Sequence, residues 1–171
     1  MGYPITTYKD YEVGRFVLPF NTITVKDLNN DIEDTEEDLI DCLLGIELAG
    51  LLIDDLDGNN VPQTDRFTKI WDKFILEDSC RNKILSKGII DMIKTFVFFQ
   101  NGRRGTNVLT IAGVKKSDSD NSNDGDLAAT PLLTNYNRGV RTYKAIQSYI
   151  CDNASIYPEF NGSSKDYVGR I

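Results

Sequence analysis

The architecture turns on Ile89-Ile90-Asp91-Met92-Ile93-Lys94-Thr95-Phe96-Val97-Phe98-Phe99-Gln100-Asn101-Gly102. Apolar residues cover more than one face of it, so the helix it predicts is central or lies at an interface. The apolar pattern stops at Asn101-Gly102, and roughly thirty mostly polar residues follow. A second amphipathic segment restarts near Pro131, with Leu133, Tyr136, Val140, Tyr143, Ile146, Tyr149 and Ile150 at helical spacing as far as Asn153. The region from about Ile84 to Ile156 therefore reads helix, loop, helix. Loops longer than ~12–15 residues inside a compact domain are usually functional or disordered, and residues 101–130 are read as an arm. Within it Asn107 to Val114 is strand-like and lacks a nearby partner in sequence, so it is expected to pair elsewhere, on another subunit. Lys116 to Asp126 is almost entirely Ser, Asp, Asn and Gly.

Upstream, Val25, Leu28 and Ile32, then Leu39, Cys42, Leu43, Ile46, Leu48, Ala49, Leu52 and Ile53, fall at spacings of three and four. They predict a short helix near 25–32 and a longer one near 36–56. Thr35-Glu36-Glu37-Asp38 resembles a capping box, with Thr35 accepting an orphan amide and the acids placed where the helix dipole favours them. The acidic run Asp31, Glu33, Asp34, Glu36, Glu37, Asp38, Asp41 is read as a solvated helix start; its rivals are a pair of acid–base carboxylates or an electronegative channel lining. Asp57-Gly58-Asn59-Asn60-Val61-Pro62 is turn chemistry. A third helix is expected from Asp65 to about Ile75, capped by Thr64 or Asp65. A fourth is expected from Ser79 or Ile84 to Gln100, with Gly88 its weak point. Phe67, Trp71, Phe74, Phe96 and Tyr143 are the expected core, Trp71 as its largest anchor. Residues 1–21 and 157–171 are punctuated by Pro and Gly yet carry aromatics. They are read as extended segments that dock on neighbouring subunits or adjoining layers, with Tyr157, Phe160 and Tyr167 among the anchors. The fold expected is thus a single, mainly α domain over 1–171. It is a small bundle of about five helices (body 22–156) with a long arm loop carrying a short β element and extended termini.

At 171 residues and 40% hydrophobic content the chain can bury one real core. A net charge of -7 argues against wrapping nucleic acid by phosphate neutralisation, while a protein that surrounds DNA without gripping it is compatible. With no histidine, Ser-His-Asp and Cys-His catalysis are excluded. Gly102-Arg103-Arg104-Gly105 is too short for a phosphate loop, and Arg103 and Arg104 are expected to meet a neighbour's carboxylates. A calcium loop centred on Gly58 would place Ile53 and Thr64 at ligand positions. One centred on Gly125 uses Asp120, Ser122 and Asp124 but puts Pro131 at the closing Glu. No cofactor, metal or catalytic residue is therefore assigned, and the chain is not read as an enzyme. Cys42, Cys80 and Cys151 lack metal or redox spacing and are read as reduced and buried. Met1-Gly2-Tyr3-Pro4 does not begin a secretory signal, and no apolar run reaches the ~18–20 residues that span a bilayer. A soluble, cytoplasmically made product is expected, with the sequons at Asn153 and Asn161 coincidental.

Four segments carry a family resemblance: Asp38-Leu39-Ile40-Asp41-Cys42-Leu43-Leu44-Gly45-Ile46-Glu47-Leu48, the run from Lys87 to Phe99, Thr110-Ile111-Ala112-Gly113-Val114, and the run from Asn135 to Tyr143. Together they resemble the head-tail connector (adaptor, or ring) proteins of tailed bacteriophages, particularly those of crAss-like phages. Ile111-Ala112 stands where the family commonly carries a Thr-Pro-x-Gly turn. The resemblance implies a structural virion protein at the head-tail interface, present in the host cytoplasm during assembly. It implies a ring of twelve copies beneath the portal, contacts with the portal and other connector or tail proteins, and double-stranded DNA passing through without specific binding. Arg103, Arg104, Val108, Ile111, Val114, Tyr157, Phe160 and Tyr167 are the expected intersubunit or partner contacts. The alternative expectation is a helical protein-binding or regulatory module acting through its polar loop.

Overall fold

A computed structural model describes residues 5–18, 25–77, 83–110, 113–116 and 131–161, with the backbone alone described at 103–110, 113–116 and 131. It is mainly helical. A short 3-10 helix (Tyr8–Tyr11) precedes α1 (Val25–Leu44), α2 (Ile46–Asp54) and α3 (Asp65–Trp71). The hairpin β1 (Phe74–Glu77) and β2 (Lys83–Ser86) follows, then α4 (Ile89–Thr106), the hairpin β3 (Asn107–Thr110) and β4 (Gly113–Lys116), and α5 (Pro131–Asp152).

The expected break between residues 32 and 36 does not occur, because Thr35 is not a cap. Its hydroxyl donates to the Asp31 carbonyl at 2.6 Å, the bond of a threonine inside a helix rather than of one accepting an orphan amide at its start. The real break is Gly45, whose φ of +80° suits glycine and turns the chain from α1 into α2. The turn after α2 forms as its residues predict: the Asp57 carboxylate accepts from Val61 N at 2.9 Å and Asn59 N at 2.8 Å, and these bonds hold its pKa below the usual value.

The third helix stops at Trp71 rather than Ile75, and the fourth begins at Ile89 rather than at Ser79 or Ile84. Residues assigned to both helices form an antiparallel ladder instead, with Phe74 opposite Ser86 and Ile75 opposite Leu85. Alternation decides it: half-buried and exposed positions alternate along β1, and in β2 they end on buried Ser86. Gly88 is the hinge between ladder and helix. It sits at φ +87°, and a Cβ there would collide with the Trp71 carbonyl oxygen.

Asn101-Gly102 does not end α4. Buried Asn101 donates to the Val97 carbonyl at 3.0 Å, and the helix runs on to Thr106. The strand that follows finds its partner close by, which corrects the expectation of pairing with another subunit: Asn107 lies opposite Lys116 and Leu109 opposite Val114. The chain therefore returns on itself as a two-stranded ribbon.

α4 and α5 pack most extensively, and Gly139 permits their approach, since a Cβ there would lie 2.9 Å from Thr95 Cγ2. Tyr136 of α5 meets the Phe96 ring edge-on at 5.7 Å and the Phe99 ring at 4.5 Å. α1 lies across the pair, where the Tyr143 hydroxyl donates to the Cys42 carbonyl at 2.8 Å. Phe67, Trp71, Phe96 and Tyr143 are buried, whereas Phe74 is half-buried beside the Tyr149 ring at 5.1 Å. The cysteines do not share one buried fate: Cys42 is half-buried, Cys151 is exposed, and Cys80 lies outside the described residues. Among the described residues no helix is long and apolar enough to cross a membrane.

Candidate functional site

Glu36 occupies the inward arc of α1, four residues after buried Ile32 and three before buried Leu39. Its side chain is fully buried, which overturns the reading of this whole acidic run as solvated. The carboxylate holds the N-terminal segment. Oε2 accepts from Ile5 N at 2.9 Å, and Oε1 accepts from Thr6 N at 2.7 Å and from the Thr6 hydroxyl at 2.6 Å. The Thr6 hydroxyl also lies 3.1 Å from that of Tyr11. Burial pushes the Glu36 pKa up to about 7, against the opposing pull of the Thr6 and Ile5 donors. Burial likewise drives the Tyr11 phenol above its ordinary value.

Around this clasp, Asn60 donates to the Ile5 carbonyl at 3.1 Å, Lys94 pairs with Asp10 at 2.8 Å and Arg15 with Asp91 at 3.1 Å. Ile5, Tyr11, Phe16 and Leu18 are buried in the common core. The described part of the N-terminal segment is therefore docked on its own chain rather than on a neighbour. Both Glu36 oxygens already hold donors, so the group fastens the fold. The spacing from Ile32 and Leu39 was the sequence signal that distinguished Glu36 from its solvated neighbours.

The second polar feature faces outward. A groove of about 570 Å³ runs between β2 and α5 and is lined by Lys83, Lys87, Arg138, Arg141 and Lys144 together with Ile84 and Leu85. The hairpin seats against α5 where Lys87 N donates to Thr142 Oγ1 at 3.3 Å. None of the five cations takes part in an ion pair among the described residues. Sequence reasoning missed this site because its lysines and arginines come from segments some fifty residues apart. Only the packing of β2 on α5 brings them together.

The expected contact residues scatter. Tyr157 is a correction: its ring is 1% exposed and its hydroxyl donates to the Arg66 carbonyl at 2.6 Å, so it closes its own chain over α3 rather than meeting a neighbour. Phe160 is half-buried against the same core. Arg103, Arg104, Val108 and Val114 have described backbone only, at the end of α4 and in the ribbon, and Ile111 and Tyr167 lie outside the described residues. Among the described residues no group of three or more acidic or thiol side chains is arranged to hold a metal ion. No family model, curated protein or solved structure matches the chain.

Proposed function

We propose that the chain is a structural subunit of a phage head-tail connector, assembling as a ring beneath the portal, docking it to the tail or to the next ring and extending the DNA channel. The observation that supports this reading is the ribbon β3–β4 between the paired helices α4 and α5. A two-stranded ribbon has an outer edge on each strand, and such edges are templates for pairing with another chain. A ring subunit needs two different contact surfaces, because head-to-tail contacts are heterologous and close only by rotation. The ribbon edge is a candidate for one of them. Negative-stain electron microscopy of the purified protein tests the reading: closed rings of fixed copy number are expected, and immunogold label on virions should sit at the head-tail junction. A chain that is monomeric at high concentration and absent from particles would overturn it.

A further inference from the structure

We propose that the basic groove between β2 and α5 receives the aspartate-bearing face of α1 from a second copy of this chain. The inference rests on the ring reading only for self-association, and it adds the interface. Asp27, Asp31, Asp34, Asp38 and Asp41 recur at intervals of four, three, four and three residues, which places them on one side of α1. Asp34 and Asp38, at the centre of that side, are exposed, as is Asp27, while Asp31 and Asp41 are half-buried. Asp34 and Asp38 lie four residues apart, a spacing at which like charges weaken a helix, so this pair gains from a cationic neighbour.

The groove matches this row in sign, length and anchoring. From Asp31 to Asp38 the row spans ~10 Å, and from Arg138 to Lys144 α5 rises ~9 Å, so two or three aspartates fit against the α5 cations at once. Each surface also ends on exposed apolar residues. Ile46, 74% exposed, opens α2 just past the Gly45 turn, and the cross-strand pair Ile75 and Leu85, 63% and 47% exposed, borders the groove. An apolar anchor beside complementary charges is the usual anatomy of a specific protein interface.

The two surfaces are separate on one body. α1 reaches α5 through Tyr143 and Gln147, whereas β2 reaches it near Thr142 and the groove cations. One copy can thus offer its aspartate row forward and its groove backward, which is the head-to-tail contact a closed ring requires. Double-stranded DNA is the less favoured occupant. The groove is one basic patch on a chain of net charge -7, and the remaining field repels a polyanion, whereas α1 of a neighbour brings a short acidic row and an apolar anchor together.

Charge reversal of each surface in the full chain tests this, with association read by sedimentation velocity and folding by circular dichroism. R141E/K144E and D34K/D38K each alter only exposed side chains, so both should keep wild-type helicity. Alone, each should associate roughly a hundredfold more weakly than wild type. Mixed in equal amounts, they should recover high-order assembly, because each then meets a surface of opposite sign. If wild type forms rings and both variants still do, the groove is not the joint and the ring reading stands without it. If the mixture fails to recover assembly while each variant is folded and dissociated, the pairing of these two surfaces is refuted. If assembly is unchanged but binding of a DNA duplex is lost in R141E/K144E, the occupant is DNA and the proposal falls. A wild-type chain that never self-associates overturns both readings together.

Discussion

The N-terminal segment and the ribbon at the end of α4 look alike as sequence and behave differently as structure. Both lack helical periodicity, both carry apolar residues among polar ones, and both read as parts that order on a partner. Residues 5–18 instead order on their own chain, because one buried carboxylate satisfies two of their backbone amides and a hydroxyl while Ile5, Tyr11, Phe16 and Leu18 join the core. Among the described residues the ribbon's strands pair with each other, and their main contact with the body is the continuous chain from α4. An aperiodic segment is thus claimed by the body when a polar residue on a helix's buried arc matches its backbone donors.

The largest way to break that contrast is to remove the clasp. Glu36→Ala leaves the Ile5 and Thr6 amides without acceptors and should lower stability by about 3–5 kcal/mol in urea unfolding. A loss below ~1 kcal/mol would mean that the apolar contacts alone hold the segment.

Acid titration reads the same group without mutation. Its folded pKa of about 7 lies above its ordinary value of 4.5, so the fold prefers the protonated form. The stability this group contributes is therefore complete below about 4.5 and is lost as pH rises through about 7. Unfolding free energy should fall by about 2–3 kcal/mol between pH 5 and pH 8 from Glu36. Glu36→Gln should flatten that slope, and an unchanged slope in the variant would assign it elsewhere. Below pH 4 the trend should reverse, as Asp57, held low by Val61 N and Asn59 N, is protonated along with Asp10. In Asp10 burial alone would raise the pKa, but the bonds and charge of Lys94 together with the bonds from Thr7 outweigh it and hold the group low.

Thr6→Val removes one donor from Glu36 while keeping the side-chain volume. It should cost about 1–2 kcal/mol and move the Glu36 titration to higher pH, since the hydroxyl bond favours the charged form. A shift to lower pH would contradict the assigned direction of that bond.

The smallest effect should come from the other side of the comparison. Replacing residues 107–130 by a short Gly-Ser linker should change stability by less than ~1 kcal/mol, because loop length enters closure entropy only logarithmically. The helical content of the body should persist while ring formation is lost. Full-size rings from this deletion would show that the ribbon is not a joint, and a collapse of helicity would show that it belongs to the core.

How far the sequence could be read follows from the range of each signal. α5 is long enough for apolar spacings of three and four to announce it, the same spacings show the helical character of α1 and α2 without their boundary, and Asp57 to Pro62 announces its turn through local hydrogen bonds. β1 and β2 were hidden because Phe74, Ile75 and Leu76 continue the apolar pattern of α3, and only the pairing with Lys83–Ser86 selects the extended form. Glu36 was half legible, being in phase with Ile32 and Leu39, but its neighbours Glu33, Glu37 and Asp38 disguised it as one more solvated acid.

Periodicity within a few turns thus sufficed for the helical class and for roughly where the helical stretches fall, though not for the break at Gly45 or the ends of α4. Tertiary structure alone decided that Glu36 is a buried fastening and that Tyr157 closes its own chain over α3. It also decided that Lys83 and Lys87 share a groove with Arg138, Arg141 and Lys144. Those outcomes join residues thirty to ninety positions apart. Such joints depend on which faces meet when the helices pack, and no local pattern of residues encodes that.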